Sequence, residues 1–273
     1  MTVADLLRAS PLPPLEARIL LMHVLGWRRT ELITRDLLPL SEDAVARFGA
    51  LSARRMAGEP IAQLTGKREF FGLEFDVTPD VLIPRPETEL LVELALEVIA
   101  DTPNARVLDL GTGTGAIAVS IAHARPDARV WAVDRSDAAL QIARGNGARL
   151  LTKNAVTFMQ SDWTANIDPS LRFDVIVSNP PYIASDDPHL EQGDLRFEPR
   201  GALTDDADGL SAIRTIIETA PSLFANRGAL WLEHGYDQAD AVRGLLNARD
   251  FTDVRSMRDL AGIERCSGGV FAA

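Results

Sequence analysis

At residues 178–183 the sequence reads SNPPYI, directly after the apolar run FDVIV. Proline donates no backbone hydrogen bond and pushes the residue before it toward extended geometry, so this stretch ends a strand. The residues that end it can do chemistry. Asn179 offers a side-chain carbonyl, and Pro180 a main-chain carbonyl on a backbone stiffened by Pro181. Two acceptors at fixed spacing can grip both hydrogens of a planar NH2 group, with Tyr182 lying against its conjugated plane. Such a nitrogen is a poor nucleophile because its lone pair is delocalised. Orientation toward an electrophilic methyl is the help it needs, and a methyl carried on a charged sulfonium calls for no strong base.

A second constellation lies upstream. In DLGTGTGAIA, residues 109–118, Gly111, Gly113 and Gly115 alternate with Thr112 and Thr114 between an apolar strand and a helix. Glycines there allow a sharp turn and close backbone approach to a ligand, and the helix presents unpaired N–H groups. No Gly-Lys-Ser/Thr follows, which excludes a nucleotide-triphosphate loop. Gly111-x-Gly113-x-x-Ala116 also fits a dinucleotide fingerprint, but hydride transfer has no use for the SNPPY device. The next strand ends in Asp134, suited to a ribose, and the third in Asp162-Trp163, suited to the amino group and ring of an adenine. Three successive strand ends thus suit one adenosine, and ligands in open α/β sheets sit at the carboxyl ends of strands.

The elements that must position these residues are legible as an alternation. RVLDLG, RVWAVD, VTFMQSD, FDVIVSN and GALWLEHG are short apolar runs, separated by helical stretches such as GAIAVSIAHA and SDAALQIARGNGARLL. That order predicts an α/β fold, a doubly wound and mostly parallel sheet covered on both faces. FTDVRSMRDL and RCSGGVFAA, joined by AGIE, predict an antiparallel pair at the edge and bring the sheet to seven strands. The fourth strand then lies beside the first, placing SNPPY at the switch point. Upstream, Leu15, Ile19, Met22, Leu32, Ile33, Leu37, Val45, Phe48 and Leu51 recur at helical spacing, and Ser41-Glu42-Asp43 reads as a helix start. REFFGLEFDVTPDVLIP predicts a hairpin around Gly72. The expected division is a helical module at 1–68, a hairpin linker at 69–84 and a catalytic domain at 85–273.

Composition bounds the rest. The 273 residues are 46% hydrophobic with a formal charge of −11, enough to bury a full core and unsuited to a broad nonspecific grip on nucleic acid. Residues 1–80 hold 10 Lys/Arg against 11 Asp/Glu, and residues 81–273 hold 18 against 28, so the excess acid lies in the catalytic part. One cysteine, Cys266, excludes an intramolecular disulfide framework and fits a reducing cytoplasm. No membrane partner is expected, and no long apolar stripe demands a dimer, so a monomer is expected. The histidines at 23, 123, 189 and 234 lack metal-ligand spacing, so no metal is expected. TDDADG has Thr204 and Thr215 where a calcium loop needs carboxylates, and reads as a solvated loop before a helix.

The sequence resembles the methyltransferases with an Asn-Pro-Pro-Tyr motif that use S-adenosylmethionine, and more closely the release factor glutamine methyltransferases. FFGLEFDVTPDVLIPRPETELLVE, DLGTGTGAIA, SNPPYI, FEPRGALTDDADGL and DLAGIER carry the resemblance. It implies a class I methyltransferase fold, and methylation of the side-chain amide nitrogen of the glutamine in a Gly-Gly-Gln loop of peptide-chain release factors. The product of the methyl donor would be S-adenosylhomocysteine. It further implies that Gly111 to Gly115, Asp134, Asp162, Trp163 and Asn179 contact the methyl donor. Asn179, Pro180, Pro181 and Tyr182 would hold the glutamine, with Asn179, Pro180 and Tyr182 catalytic by orientation. The helical module would dock on the release factor. Arg85 and Glu87 would cap a helix with some cofactor contact, and His234, where the family commonly has an aliphatic residue, reads as a strand-end side chain. Cys266-Ser267 falls where the family varies. Two rival readings are an adenine-N6 methyltransferase, since adenine's NH2 is also planar, and a noncatalytic cofactor-binding protein of the translation machinery.

Overall fold

The computed structural model describes residues 1–152 and 156–272. Ala273, the last residue of the extended segment RCSGGVFAA, lies outside them. The chain divides into two compact units, one formed by 1–67 with 192–197, the other by 68–191 with 198–273.

The first unit holds α1 (Val3–Ala9), α2 (Pro14–Leu25), α3 (Arg29–Thr34), α4 (Glu42–Met56) and α5 (Ile61–Thr65). Caps define their starts. Thr2 and Asp5 form a capping box on α1, and the Ser41 hydroxyl accepts the Ala44 N–H at 3.2 Å. Ala17, Leu20, Leu21 and Val24 form the buried stripe of α2, packed with Val3, Leu6, Leu32 and Phe48. Leu15, Ile33 and Leu37, which sequence spacing suggested as inward-facing, are instead 69%, 65% and 76% exposed. Helix α2 is apolar nearly all round, so its pattern admits more than one stripe and packing chooses among them. The return of 192–197 was not anticipated from sequence. Arg55 draws it in, pairing with Glu16 at 2.9 Å and Asp194 at 3.1 Å, while Gln63 donates to the Phe197 carbonyl at 2.9 Å.

The second unit opens with β1 (Lys67–Phe70) and β2 (Leu73–Asp76), a hairpin whose turn residues Phe71 and Gly72 both have positive φ. Then come α6 (Glu89–Val98), β3 (Arg106–Leu110), α7 (Ala116–Ala124), β4 (Arg129–Asp134), α8 (Asp137–Leu150), β5 (Val156–Gln160) and β6 (Phe173–Ser178). The chain continues through α9 (Arg200–Leu203), α10 (Ser211–Thr219), β7 (Phe224–Glu233), α11 (Ala239–Ala248), β8 (Thr252–Arg258) and β9 (Glu264–Ala272). The seven-stranded sheet runs β5-β4-β3-β6-β7-β9-β8, parallel except for β9.

Alternate strand residues feed the two faces. Val107, Val130, Val175 and Val177 pack with Leu91, Ala95 and Ile121 of α6 and α7, whereas Leu108, Ile176 and Leu230 pack with Ile213, Ile216, Val242 and Leu246 of α10 and α11. Burial on both faces is why these strands read as continuous apolar runs. The order reverses between β3 and β6, where the Ser178 hydroxyl donates to the Leu110 carbonyl at 2.6 Å.

Candidate active site

The loop after β3 is shaped by backbone bonds. The N–H groups of Gly111 and Thr112 both donate to the Val133 carbonyl at 2.9 Å, fastening the loop to β4. Gly111, Gly113 and Gly115 all have positive φ. A Cβ at Gly115 would lie 3.2 Å from that of Ala143, so glycine lets α7 approach α8 closely. A Cβ at Gly113 would meet no protein atom within 4 Å; this backbone faces an open cradle. Beneath it the buried Asp109 accepts the Thr112 hydroxyl at 2.7 Å, and burial pushes its carboxyl up to about 7. Asn146 of α8 anchors the loop from behind, donating to the carbonyls of Thr114 and Asp76, each at 3.0 Å.

Asp134 ends β4 with one oxygen on the Gly113 N–H and the other on the Ser136 N–H, both at 2.9 Å. A carboxylate has about four acceptor sites, so two N–H groups leave it capacity for ligand hydroxyls. Asp162 is exposed, and Trp163 sits half-buried at a φ of 48°, its ring 3.4 Å from where a Gly111 Cβ would be. These groups converge on a cavity of about 240 Å³. Gly111 to Thr114, Asp134, Asp162, Trp163, Asn179 and Pro181 line it; Gly115, Pro180 and Tyr182 do not.

At the end of β6, Asn179 donates its amide N–H to the Thr88 hydroxyl at 3.2 Å. Its carbonyl oxygen accepts no hydrogen bond among the described residues. The Tyr182 hydroxyl turns inward to Glu233 at 3.3 Å, and burial raises its acidity constant well above the ordinary tyrosine value. Gln238 donates to the Tyr182 carbonyl at 3.0 Å, and Gly209 packs so tightly there that a Cβ would lie 2.3 Å from that oxygen. The TDDADG segment, expected as a solvated loop, therefore also backs the SNPPY turn. Asp205 shapes it by accepting the N–H groups of Ala207, Gly209 and Ser211.

Several lining groups escaped the sequence reading. Glu198 is buried, accepts the Ile83 N–H at 2.9 Å and pairs with Arg85. The segment after it forms a wall through Pro199, Gly201 and Ala202, and Arg135 donates to the Gly201 carbonyl at 3.1 Å. Arg85 thus lines the cavity, while Glu87 does not. The sequence signal for this wall is the acid before a proline in FEPRGAL. His234 is fully buried away from the cavity, with Nδ1 donating to the Gly235 carbonyl at 2.9 Å and Nε2 accepting from Ser267 at 2.7 Å. Ser256 joins Ser267 at 2.6 Å, and Arg243 bonds Ser256, completing a clamp across β7, β9 and β8. Burial holds the imidazole below its ordinary value and pushes the Cys266 thiol up.

The sheet, the glycine loop and the acids at its strand ends define a methyltransferase, and residues 87–193 match the family model described as the methyltransferase small domain. A 16S rRNA methyltransferase of T. thermophilus in complex with AdoMet and guanosine shares the fold, with a TM-score of 0.53 at 22% identity over 74% of this chain and 49% of that one. Residues 2–66 match the PrmC N-terminal domain. The chain is 67% identical over 272 residues to the release factor glutamine methyltransferase of Burkholderia pseudomallei, covering 98% of this chain and 95% of that protein. It is 54% identical to the enzyme of that name from Bordetella pertussis, covering 97% of each. The chain belongs to the release factor glutamine methyltransferase family.

Proposed function

We propose that the protein methylates the side-chain amide nitrogen of the glutamine in the Gly-Gly-Gln loop of peptide-chain release factors, using S-adenosylmethionine and leaving S-adenosylhomocysteine. When bound, the methyl donor supplies an electrophilic methyl on a positively charged sulfur. The open cradle at Gly113 and the spare acceptor capacity of Asp134 fit its adenosine: Gly111 to Gly115 approach it by backbone, Asp134 takes the ribose hydroxyls, and Asp162 with Trp163 take the adenine.

The observation that carries the reading is the amide of Asn179. Its NH2 is committed to Thr88, so the atom it offers a substrate is the carbonyl oxygen, an acceptor for an NH2 group. Together with the Pro180 carbonyl it would hold both amide hydrogens and aim the nitrogen, while Tyr182 supports the conjugated plane. Catalysis by orientation asks for no base here. A glutamine is favoured over adenine by the acidity of the catalytic part, 18 basic against 28 acidic residues after position 80. A nucleic-acid enzyme needs a basic track.

In the same reading, 1–68 docks on the release factor, 69–84 links, and 85–273 carries out the transfer, in the cytoplasm where release factors act. The test offers purified release factor and duplex DNA separately with labelled methyl donor. Label on the release factor is expected; label on DNA alone contradicts the reading.

A further inference from the structure

The register of the sheet brings a buried acid to the site. Ser178 pairs with Leu232 across β6 and β7, so the next residues, Asn179 and Glu233, stand side by side at the carboxyl ends of neighbouring parallel strands. Glu233 is fully buried. One of its oxygens accepts the Tyr182 hydroxyl at 3.3 Å; the other, Oε2, has no hydrogen-bond partner among the described residues. A buried carboxylate oxygen left without a donor is costly, and an apolar residue or an amide would cost a strand end less. Packing alone does not account for an acid here.

Resting on the function proposed above, we infer that Glu233 is a positioning residue for methyl transfer, fixing through Thr88 which atom Asn179 presents and holding Tyr182 by its hydroxyl. The polarity of the chain of groups carries the argument. A threonine hydroxyl has one proton. Thr88 stabilises the ionised Glu233 as a donor does, so its proton is turned to the acid and only lone pairs face Asn179. Asn179 must then give Thr88 its NH2 and keep its carbonyl for the cavity. If Glu233 is protonated, the Thr88 proton is free to turn to Asn179, and the amide can flip to present NH2 to another NH2.

The groups facing Glu233 are few. Tyr182 approaches from the turn after β6, Glu87 from the turn before α6, and Arg265 with Cys266 from β9. Arg265 favours the ionised acid and is itself held by Asp259 and the His234 carbonyl, which gives the DLAGIER segment a use. Glu87 and burial oppose, and the carboxyl lies at about 7. The ionised form, the one the site requires, is therefore lost as pH falls through about 7.

The experiment compares wild type, Glu233→Gln, Thr88→Val and Thr88→Ser for kcat on a release factor across pH, for S-adenosylmethionine affinity and for thermal melting. Wild-type kcat should fall roughly tenfold per unit below pH 7. Glu233→Gln and Thr88→Val should lose about ten- to hundredfold in kcat at pH 8, keep cofactor affinity within about twofold, and show no acid limb. Thr88→Ser should recover most of what Thr88→Val loses. In parallel, the Asn179 side-chain amide resonance, assigned by its loss in Asn179→Ala, should shift through pH 7 in wild type and not in Glu233→Gln. A folded Glu233→Gln protein with wild-type kcat and acid limb, or an Asn179 resonance indifferent to pH in wild type, overturns the inference. If wild type methylates no release factor, the substrate reading fails, and the amide resonance still decides the role of Glu233.

Discussion

Gly113 donates its backbone N–H to the carboxylate of Asp134 at 2.9 Å, so the loop after β3 and the end of β4 close on one another before any ligand arrives. The acid that the reading assigns to the ribose also sets the curvature of the cradle. Replacing Asp134 by Ala should therefore weaken S-adenosylmethionine binding by about ten- to hundredfold, the range for losing a charge-assisted hydrogen bond while orphaning a backbone donor. Calorimetric titration checks it, and unchanged affinity refutes the ribose role.

Asn179→Ala removes the acceptor but not the cradle. Turnover should fall by about a hundredfold or more, as for loss of a positioning contact at the reacting atom, with cofactor affinity largely kept. Single-turnover kinetics beside a binding titration separate the two. A variant that turns over normally would leave the amide grip without support.

Gly209→Ala probes the site from behind. At a φ of 77° with a Cβ only 2.3 Å from the Tyr182 carbonyl, alanine cannot be accommodated without moving the SNPPY turn. About 1–3 kcal/mol of stability should be lost, as in overpacked sites, and kcat should fall although Gly209 lies outside the cavity lining. Retention of both melting temperature and kcat would show that the turn does not depend on this backing.

Stability should depend on pH through two buried acids. Asp109 and Glu233 each lie at about 7, against ordinary values near 4. Between those limits the folded protein holds protons that the unfolded chain has released, so unfolding free energy falls as pH rises from about 4 to 7 and levels above. Exposed acids work the other way at lower pH: Asp208, held down to about 2 by Arg214, and Asp127, lowered by Arg125, contribute above the unfolded value and are lost as pH falls below it. Wild type should melt higher at pH 5 than at pH 7.5, and Asp109→Asn should narrow that gap. An equal or reversed gap contradicts the assignment.

The sheet was legible because strands buried on both faces leave continuous apolar runs between amphipathic helices, and the ligand-facing groups Gly111 to Thr114, Asp134, Asp162, Trp163 and Asn179 because they stand at strand ends. What sequence hid depends on pairings between distant segments. Thr88 and Glu233 acquire meaning only when Ser178 is registered against Leu232, and Glu198 only when it meets Ile83 and Arg85. In α2 the apolar residues outnumber the places on one face, so spacing selected Leu15 where packing selected Ala17, Leu20, Leu21 and Val24.

The central claim is that this site methylates an amide nitrogen of a protein. The most direct measurement is mass spectrometry of a release factor after incubation with the enzyme and S-adenosylmethionine, with fragmentation to locate the added group. The account predicts one methyl on the side chain of the glutamine in the Gly-Gly-Gln loop, absent with Asn179→Ala. A methyl on another residue, or an unmodified release factor under conditions where duplex DNA becomes methylated, would contradict it.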